Sequence, residues 1–508
     1  MDTDRILETL NKQADDGIES AARNIDDTLD YIIDQIPQKQ YTAYLVLVFG
    51  LANAADAIEL MSVSYLIPTA ACTLRMGTFE KGILSAISFL GMMIGSVLGW
   101  YLADKYGRRF SLCLTLLING AGGLISSFQP TFVPFILFRL FAAVGVGGSI
   151  PIVWTYFVEF LPSKQRGMFL NITAISWMVG SIGVAAFAFL LIPYSDTLGW
   201  RYFTVISSLP AFAAVAFTLS IPESPKYFML HNKINEAWNV LEYIALKNNA
   251  LHMITPYKDQ FLNCITENDH ESEILPKDIK KKSYLAIFTS SDKSIKKIRK
   301  HMLLLTCIVT LICYGYYGLL MWLPNMLAVM EMNTSKGLCG RIAVINHPKV
   351  VHHTDTCHPH RKVYVESMLI AASSLPGNIA STLLIDKIGR KLLLIPCLFI
   401  CAISVILMML IKSHVAALLF SCLFSALSVI PFNVLNCIGI ELFPTRFRAY
   451  SFSTQYMFGR VGAILATVSF GYFLDIYCYL PLLIVAINLM IAGAMSCGLK
   501  ETKGLQIL

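Results

Sequence analysis

Long apolar runs broken by short polar segments fill most of this chain. A bilayer core is crossed by a helix of about 20 mainly apolar residues, and twelve runs reach that length: roughly 42–67, 81–103, 110–128, 131–157, 168–192, 202–221, 301–329, 364–385, 391–411, 415–440, 450–473 and 478–499. Two polar stretches carry a different period. Ahead of the first run, Ile25, Leu29, Ile32, Ile33 and Ile36 share one helical face, with Asp26, Asp27, Asp30 and Asp34 elsewhere. So acidic a segment is repelled by an anionic lipid surface, which predicts a short helix packed on the end of the bundle. Between the sixth and seventh runs, Glu236–Trp238 and Leu241–Leu246 have helical spacing and predict amphipathic helices.

The composition agrees with a membrane protein. Of 508 residues, 56% are hydrophobic and 14% charged, with mean hydropathy +0.60. A soluble domain carries about 25% charged residues, and a soluble chain of this composition would expose large apolar patches. The first 37 residues hold ten Asp/Glu against three Lys/Arg, so no cleavable signal peptide is expected and the first span serves as its own insertion signal. The net charge of +7 implies no nucleic-acid partner. Most of the thirteen Cys lie inside spans as small apolar fillers.

The cations orient the spans. Lys105, Arg108, Arg109, Lys164, Arg166, Lys387, Arg390, Lys391, Arg446 and Arg448 all fall in alternate short loops, the pattern of cytoplasmic loops. Both termini are then cytoplasmic, as an even helix count requires. The expected layout is an acidic cytoplasmic segment over 1–40, a six-helix half over 41–221 and a cytoplasmic linker over 222–300. A second six-helix half follows over 301–499, with an outer loop at 330–363, then a cytoplasmic tail over 500–508. A basic stretch near 280–300 anchors the seventh span. The outer loop holds Asn333 in a glycosylation sequon, Cys339 and Cys357 able to form a disulfide, and His347, His352, His353, His358 and His360. The histidine spacing matches no standard zinc site, so no metal is expected.

One hexapeptide occurs twice, as Asp104-Lys105-Tyr106-Gly107-Arg108-Arg109 and as Asp386-Lys387-Ile388-Gly389-Arg390-Lys391. Each lies between two spans, in corresponding places of the two halves, which implies a duplicated membrane unit of the kind secondary transporters use. Gly107 and Gly389 suit sharp turns. The arginines are expected to reach helix-end carboxylates, Glu159 in one half and Glu441 in the other, as a cytoplasmic gate formed when that side is closed.

Ionisable groups inside spans cost roughly 2.5–3.5 kcal/mol each and are functional candidates. Asp56 and Glu59 share one face of the first span, so mutual repulsion enables one of them to hold a proton near neutral pH. Arg139 in the fourth span offers one of them a structural partner, and Arg460 lies near the middle of the eleventh. Trp177, Tyr316, Tyr317, Phe432, Asn433 and Asn436 are candidate cavity-lining residues. Gly145, Gly147 and Gly148 suit close helix packing.

These residues resemble the major facilitator superfamily over nearly the whole chain. Asp104–Arg109 is similar to its cytoplasmic loop signature, and Pro222–Phe228 to its end-of-sixth-helix signature. Glu159 with Arg166-Gly167, and Glu441 with Pro444-Thr445-Arg446, look like its repeated helix-end signatures. Within it, Ala55–Glu59, Gly147–Val153, Tyr316–Gly318, Leu375–Asn378 and Glu501–Gly504 most resemble the synaptic vesicle glycoprotein 2 family. This chain has about 34 residues, on this reading of the spans, where vertebrate members carry a long luminal β-rich domain. It also has Phe432 and Asn436 where the family pattern has Trp and Asp.

The resemblance implies an all-α membrane protein of twelve transmembrane helices in two pseudo-symmetric halves. The function expected is secondary transport of a small polar or organic solute by alternating access, with proton coupling through Asp56 or Glu59 as an option and Asp56, Glu59, Arg139 and Arg460 as the proton or substrate candidates. The alternative is a transporter-like protein of secretory or synaptic vesicles that regulates exocytosis through trafficking partners. A functional monomer in a vesicle or plasma membrane is expected, with no cofactor; no phosphate loop or nucleophile–base pair suggests an enzyme.

Overall fold

The computed structural model describes residues 29–71, 73–162, 166–194, 198–258, 261, 293–331, 361–411, 413–442, 445–474, 476–477, 479–499 and 501. Asn333, Cys339, Cys357 and the outer-loop histidines lie outside the described residues, as do the side chains of Asp386, Glu441 and Arg446.

Every predicted span is a helix. The first half contains α1 (Gln40–Thr69), α2 (Thr78–Tyr106), α3 (Arg108–Ser126), α4 (Phe132–Val158), α5 (Arg166–Leu191) and α6 (Gly199–Thr218). The second contains α7 (Lys293–Glu331), α8 (Arg361–Ile388), α9 (Arg390–Leu410), α10 (His414–Leu442), α11 (Thr445–Phe473) and α12 (Tyr479–Ser496). Eleven of these are long and apolar enough to cross a membrane; α11 is not among them, and its most apolar stretch is interrupted by Arg460. The observed ends mostly extend a few residues past the apolar runs, because backbone hydrogen bonding continues into the polar flanks after hydrophobicity stops.

Glycines let these helices approach to backbone contact, which drives association where lipid removes the hydrophobic term. A Cβ on Gly147 would lie 2.1 Å from the Met92 carbonyl oxygen of α2, and one on Gly145 would lie 2.4 Å from the Asn119 backbone nitrogen of α3. The packing role expected for these glycines is thus visible in the fold.

The two halves meet chiefly along α2–α11, α5–α8 and α1–α7. At the end away from the hexapeptides, Leu66, Ala70, Met76 and Ile192 share one apolar cluster with Leu327, Met330 and Val363 of the other half. Tyr65 and Tyr364 bring their rings to 6.2 Å there. At the hexapeptide end, the first half has a separate cluster of its own. That cluster includes the N-terminal segment, helical over 29–35, with Leu29, Ile32, Ile33 and Ile36 buried at the predicted i, i+3, i+4, i+7 spacing. Each such side chain contributes about 1.5–3 kcal/mol on burial. Facing it are the linker helices Pro225–Leu230, Ile234–Lys247 and Leu251–Ile254, through Trp238, Leu241, Ile244 and Ile254. The amide of Tyr41 donates to Asn248 Oδ1 at 3.3 Å, tying α1 to the linker.

Candidate functional site

Among the described residues, three polar centres contain most of the candidate residues. The first is the buried charge cluster of the first half. The expected carboxylates Asp56 and Glu59 are both buried on one stretch of α1, but they have different partners. Glu59 Oε1 lies 2.7 Å from Arg139 Nη1. The same guanidinium donates to the Glu59 carbonyl at 3.2 Å and to Ser62 Oγ at 2.8 Å. A water-sized void lined by Glu59, Ser88, Met92 and Arg139 lies against this pair.

Asp56 has no such cation: among the described residues its partners are neutral. Asn119 Nδ2 of α3 donates to its Oδ1 at 3.0 Å, and Ser149 Oγ of α4 lies 2.6 Å from its Oδ2. Ser149 Oγ is also 3.0 Å from the Val146 carbonyl. Asn119 and Ser149 escaped the sequence reading because a single Asn or Ser inside a span carries no periodic or charge signal.

The second centre is a cavity between the halves. Met61, Ser64 and Tyr65 of α1, with Trp177, Met178 and Ser181 of α5, form one wall. Tyr316, Leu320, Leu323 and Pro324 of α7, with Ser367, Ile370, Ala371 and Ser374 of α8 and Ser425 of α10, form the other. No ionisable acid or base other than tyrosine is among these residues. Of the candidates, Trp177 and Tyr316 stand on the wall. Phe432 is one layer behind, with ring centroids 5.0 Å from Tyr316, and Tyr317 also packs on Tyr316 at 5.0 Å. Asn433 is turned to α8, donating to Asn378 Oδ1 at 2.6 Å and to Ser381 Oγ at 3.2 Å. Asn436 accepts from Tyr456 Oη at 3.4 Å. Arg460 is absent from the wall and donates to Tyr317 Oη at 3.2 Å. The wall serines lay in plain sight in the sequence, but only the fold brings α1, α5, α8 and α10 to one place.

The third centre is at the hexapeptides. Gly107 and Gly389 take φ of +100° and +107°, a region open to glycine and strained for other residues. Each turn starts a helix whose first N–H groups have no intrahelical acceptor. In the first half, Glu223 supplies it, accepting from the amide of Arg108 at 2.9 Å and from that of Arg109 at 3.1 Å. In the second, Glu501 accepts from the amides of Arg390 and Lys391, both at 3.0 Å. A carboxylate there also meets the positive end of the helix dipole. The following basic side chain closes each loop: Arg109 donates to the Leu219 carbonyl and Lys391 Nζ to the Cys497 carbonyl.

Arg108 reaches Asp104 Oδ1 at 2.9 Å and lies 3.6 Å from Glu159 Oε1. These contacts stay inside one half of the molecule. Arg166 of the helix-end signature pairs with Asp30 of the N-terminal segment at 2.5 Å. In the sequence, Glu223 and Glu501 stand out only as parts of signatures. Their shared place just beyond the sixth helix of each half was the available signal.

Comparison with known proteins agrees with this architecture. Residues 61–507 match the model of the sugar (and other) transporter family. The chain is 27% identical to human synaptic vesicle glycoprotein 2B, over 93% of this chain and 85% of that protein. It is 26% identical to rat synaptic vesicle glycoprotein 2A, over 92% and 77%. Among solved structures, the inward open conformation of the xylose transporter XylE from E. coli matches with TM-score 0.68 and 16% identity, covering 92% of this chain and 98% of that one. A crystal structure of D-xylose-proton symporter matches with TM-score 0.66 and 16% identity, covering 92% and 100%. The chain belongs to the sugar (and other) transporter family, as a multi-pass membrane protein of the major facilitator fold similar to the synaptic vesicle glycoproteins 2.

Proposed function

We propose that this protein carries a small uncharged organic solute across its membrane by alternating access. The observation that supports this reading is the cavity itself. Both halves contribute to it, its polar groups are hydroxyls with the indole of Trp177, and it offers no fixed charge to balance an ion. Aromatic faces with a few hydrogen-bonding groups suit a neutral solute with one apolar side. By the positive-inside distribution, the hexapeptides, both termini and the linker are cytoplasmic. The cavity is then sealed on the outer side by the joined apolar cluster.

Asp56 is the group we assign to proton coupling. A hydroxyl has one hydrogen, yet Ser149 Oγ lies within bonding distance of both Asp56 and the Val146 carbonyl. With a proton on Asp56, the carboxyl donates to Ser149 and Ser149 donates to Val146, so both bonds are made. Without it, the serine hydrogen turns to the carboxylate and the additional bond to the Val146 carbonyl is lost. Glu59 has Arg139 as its partner at 2.7 Å, which we read as a fixed pair rather than a carrier.

Uptake into proteoliposomes across a panel of neutral, cationic and anionic solutes, with and without a pH gradient, tests both parts. The expected result is uptake of a neutral solute, accelerated by the gradient. Asp56→Asn should abolish the acceleration while leaving solute exchange across equal pH. Pure facilitated diffusion by the unaltered protein would remove Asp56 from the mechanism, and transport of ions alone would overturn the cavity reading. The names of the relatives and the acidic N-terminal segment favour a second reading, a regulator of vesicle exocytosis. Absence of uptake across the whole panel, with binding retained, would favour it.

A further inference from the structure

Arg460 is a guanidinium in the membrane-spanning part of α11 whose commitments are unusual. Among the described residues no carboxylate pairs with it. Its Nη1 donates to Tyr317 Oη at 3.2 Å, and its guanidinium carbon lies 5.6 Å from the centroid of that same ring. A cation at this depth whose described partners are all neutral is expensive, so the contact it does make carries weight. Tyr317 packs against three further rings: Phe89 of α2 at 4.9 Å, Tyr316 at 5.0 Å and Phe432 at 6.4 Å. Tyr316 is on the cavity wall. Phe89 is fully buried and belongs to the opposite half, on the helix that packs against α11 itself. A continuous chain of contacts therefore runs from α11 through α7 to α2, one ring away from the cavity.

We propose that Arg460 is a positioning residue. It fixes the orientation of Tyr317 so that the wall at Tyr316 and the inter-half contact at Phe89 move as one. With its hydroxyl held by the guanidinium, the Tyr317 ring has one orientation, nearly perpendicular to Tyr316 at 78°. Neither ring can turn without the other giving way, because edge-to-face contacts are lost on rotation. Tyr316, displaced by a solute, transmits its shift to Phe89 and so to the contact between halves. Without Arg460 the Tyr317 ring loses the contact that fixes its hydroxyl, and the two ends of the chain are coupled less tightly. The consequence for solute transport rests on the reading of the cavity given above; the consequence for the inter-half contact does not.

The test is hydrogen exchange by mass spectrometry on the full chain in lipid nanodiscs, read over residues 85–95 around Phe89. Arg460→Leu removes the cation, Tyr317→Phe keeps the ring and removes the hydroxyl, and Arg460→Lys restores a cation without the planar fork. Tyr314→Phe is the control: it deletes the 2.6 Å bond between Tyr314 and Ser469, which joins the same two helices α7 and α11. Arg460→Leu and Tyr317→Phe should each speed exchange in this segment by about fivefold, the factor implied by losing one cation–aromatic contact or hydrogen bond. Arg460→Lys should fall between, and the control should match the unaltered protein.

Equal acceleration in the control would make Arg460 a packing residue and overturn the proposal, as would unchanged exchange in Tyr317→Phe. Should Arg460→Leu fail to fold, Tyr317→Phe with Arg460→Lys decides. Where a solute is found, Arg460→Leu should raise KM by about fivefold with a smaller change in kcat. Where none is found, the transport reading fails and the exchange data alone judge the coupling.

Discussion

Arg139 and Glu59 set the energetic scale for single residues. Removing one partner of a buried ion pair leaves an uncompensated charge and costs about 3–5 kcal/mol, whereas replacing both with apolar groups is often near neutral. Glu59→Ala or Arg139→Ala alone should therefore depress folded yield sharply, while Glu59→Leu combined with Arg139→Met should recover most of it. Size-exclusion recovery after membrane extraction measures this, and a double variant no better than the singles would show that the pair does more than balance charge. Both residues were visible in the sequence as intramembrane charges, and their pairing was one of the options open there. The split of roles between Asp56 and Glu59 was not, because it depends on Asn119 and Ser149 reaching one carboxylate and Arg139 the other. At the surface, Asp104 is half exposed while its partner Arg108 is largely buried and also reaches Glu159, so Asp104→Asn should leave folding intact while slowing transport. Unchanged uptake at normal surface expression would exclude a gating role.

Among the elements, the two helix starts after Gly107 and Gly389 are built alike, each with a glutamate beyond its sixth helix over the first amides. Capping of this kind contributes about 0.5–2 kcal/mol. Glu223→Gln and Glu501→Gln should each lower the thermal unfolding midpoint in detergent, and in the double variant the losses should add, since the sites are in different halves and share no partner. A midpoint unmoved by Glu223→Gln would mean that the backbone amides find water instead. The spans themselves were legible from hydrophobicity, and their ends came within a few residues except at the start of α7, where the helix runs on through the basic stretch to Lys293. The N-terminal helix was legible from its period and its aspartates. What hid from the sequence was long-range polar pairing: Asp30 meeting Arg166, or Glu223 meeting the Arg108 amide, leaves no mark on local pattern.

For the whole molecule, the contact that closes the end away from the hexapeptides is a crossing of α2 and α11 at backbone distance. A Cβ on Gly82 would lie 2.9 Å from Gly471 Cα, and one on Gly471 would lie 2.8 Å from Gly82 Cα. Backbone cannot yield as a side-chain tip does, so Gly82→Trp should hold that end apart. The measurement is the rate of modification of Ser64→Cys by an impermeant thiol reagent applied from that side. Faster labelling in the Trp variant is expected, and an unchanged rate would mean that the halves part elsewhere. The cluster formed by the N-terminal segment, the linker helices and the hexapeptide end of the first half also bears on synthesis. The four apolar residues at positions 29–36 find partners such as Trp238 and Phe261 only after more than two hundred further residues have been made. Once the chain has passed residue 261, however, the whole first half and its cap can be complete. Domains generally fold as units in the order they leave the ribosome. A nascent chain stalled there should already resist protease as a finished body, with the second half then assembling against it as a template.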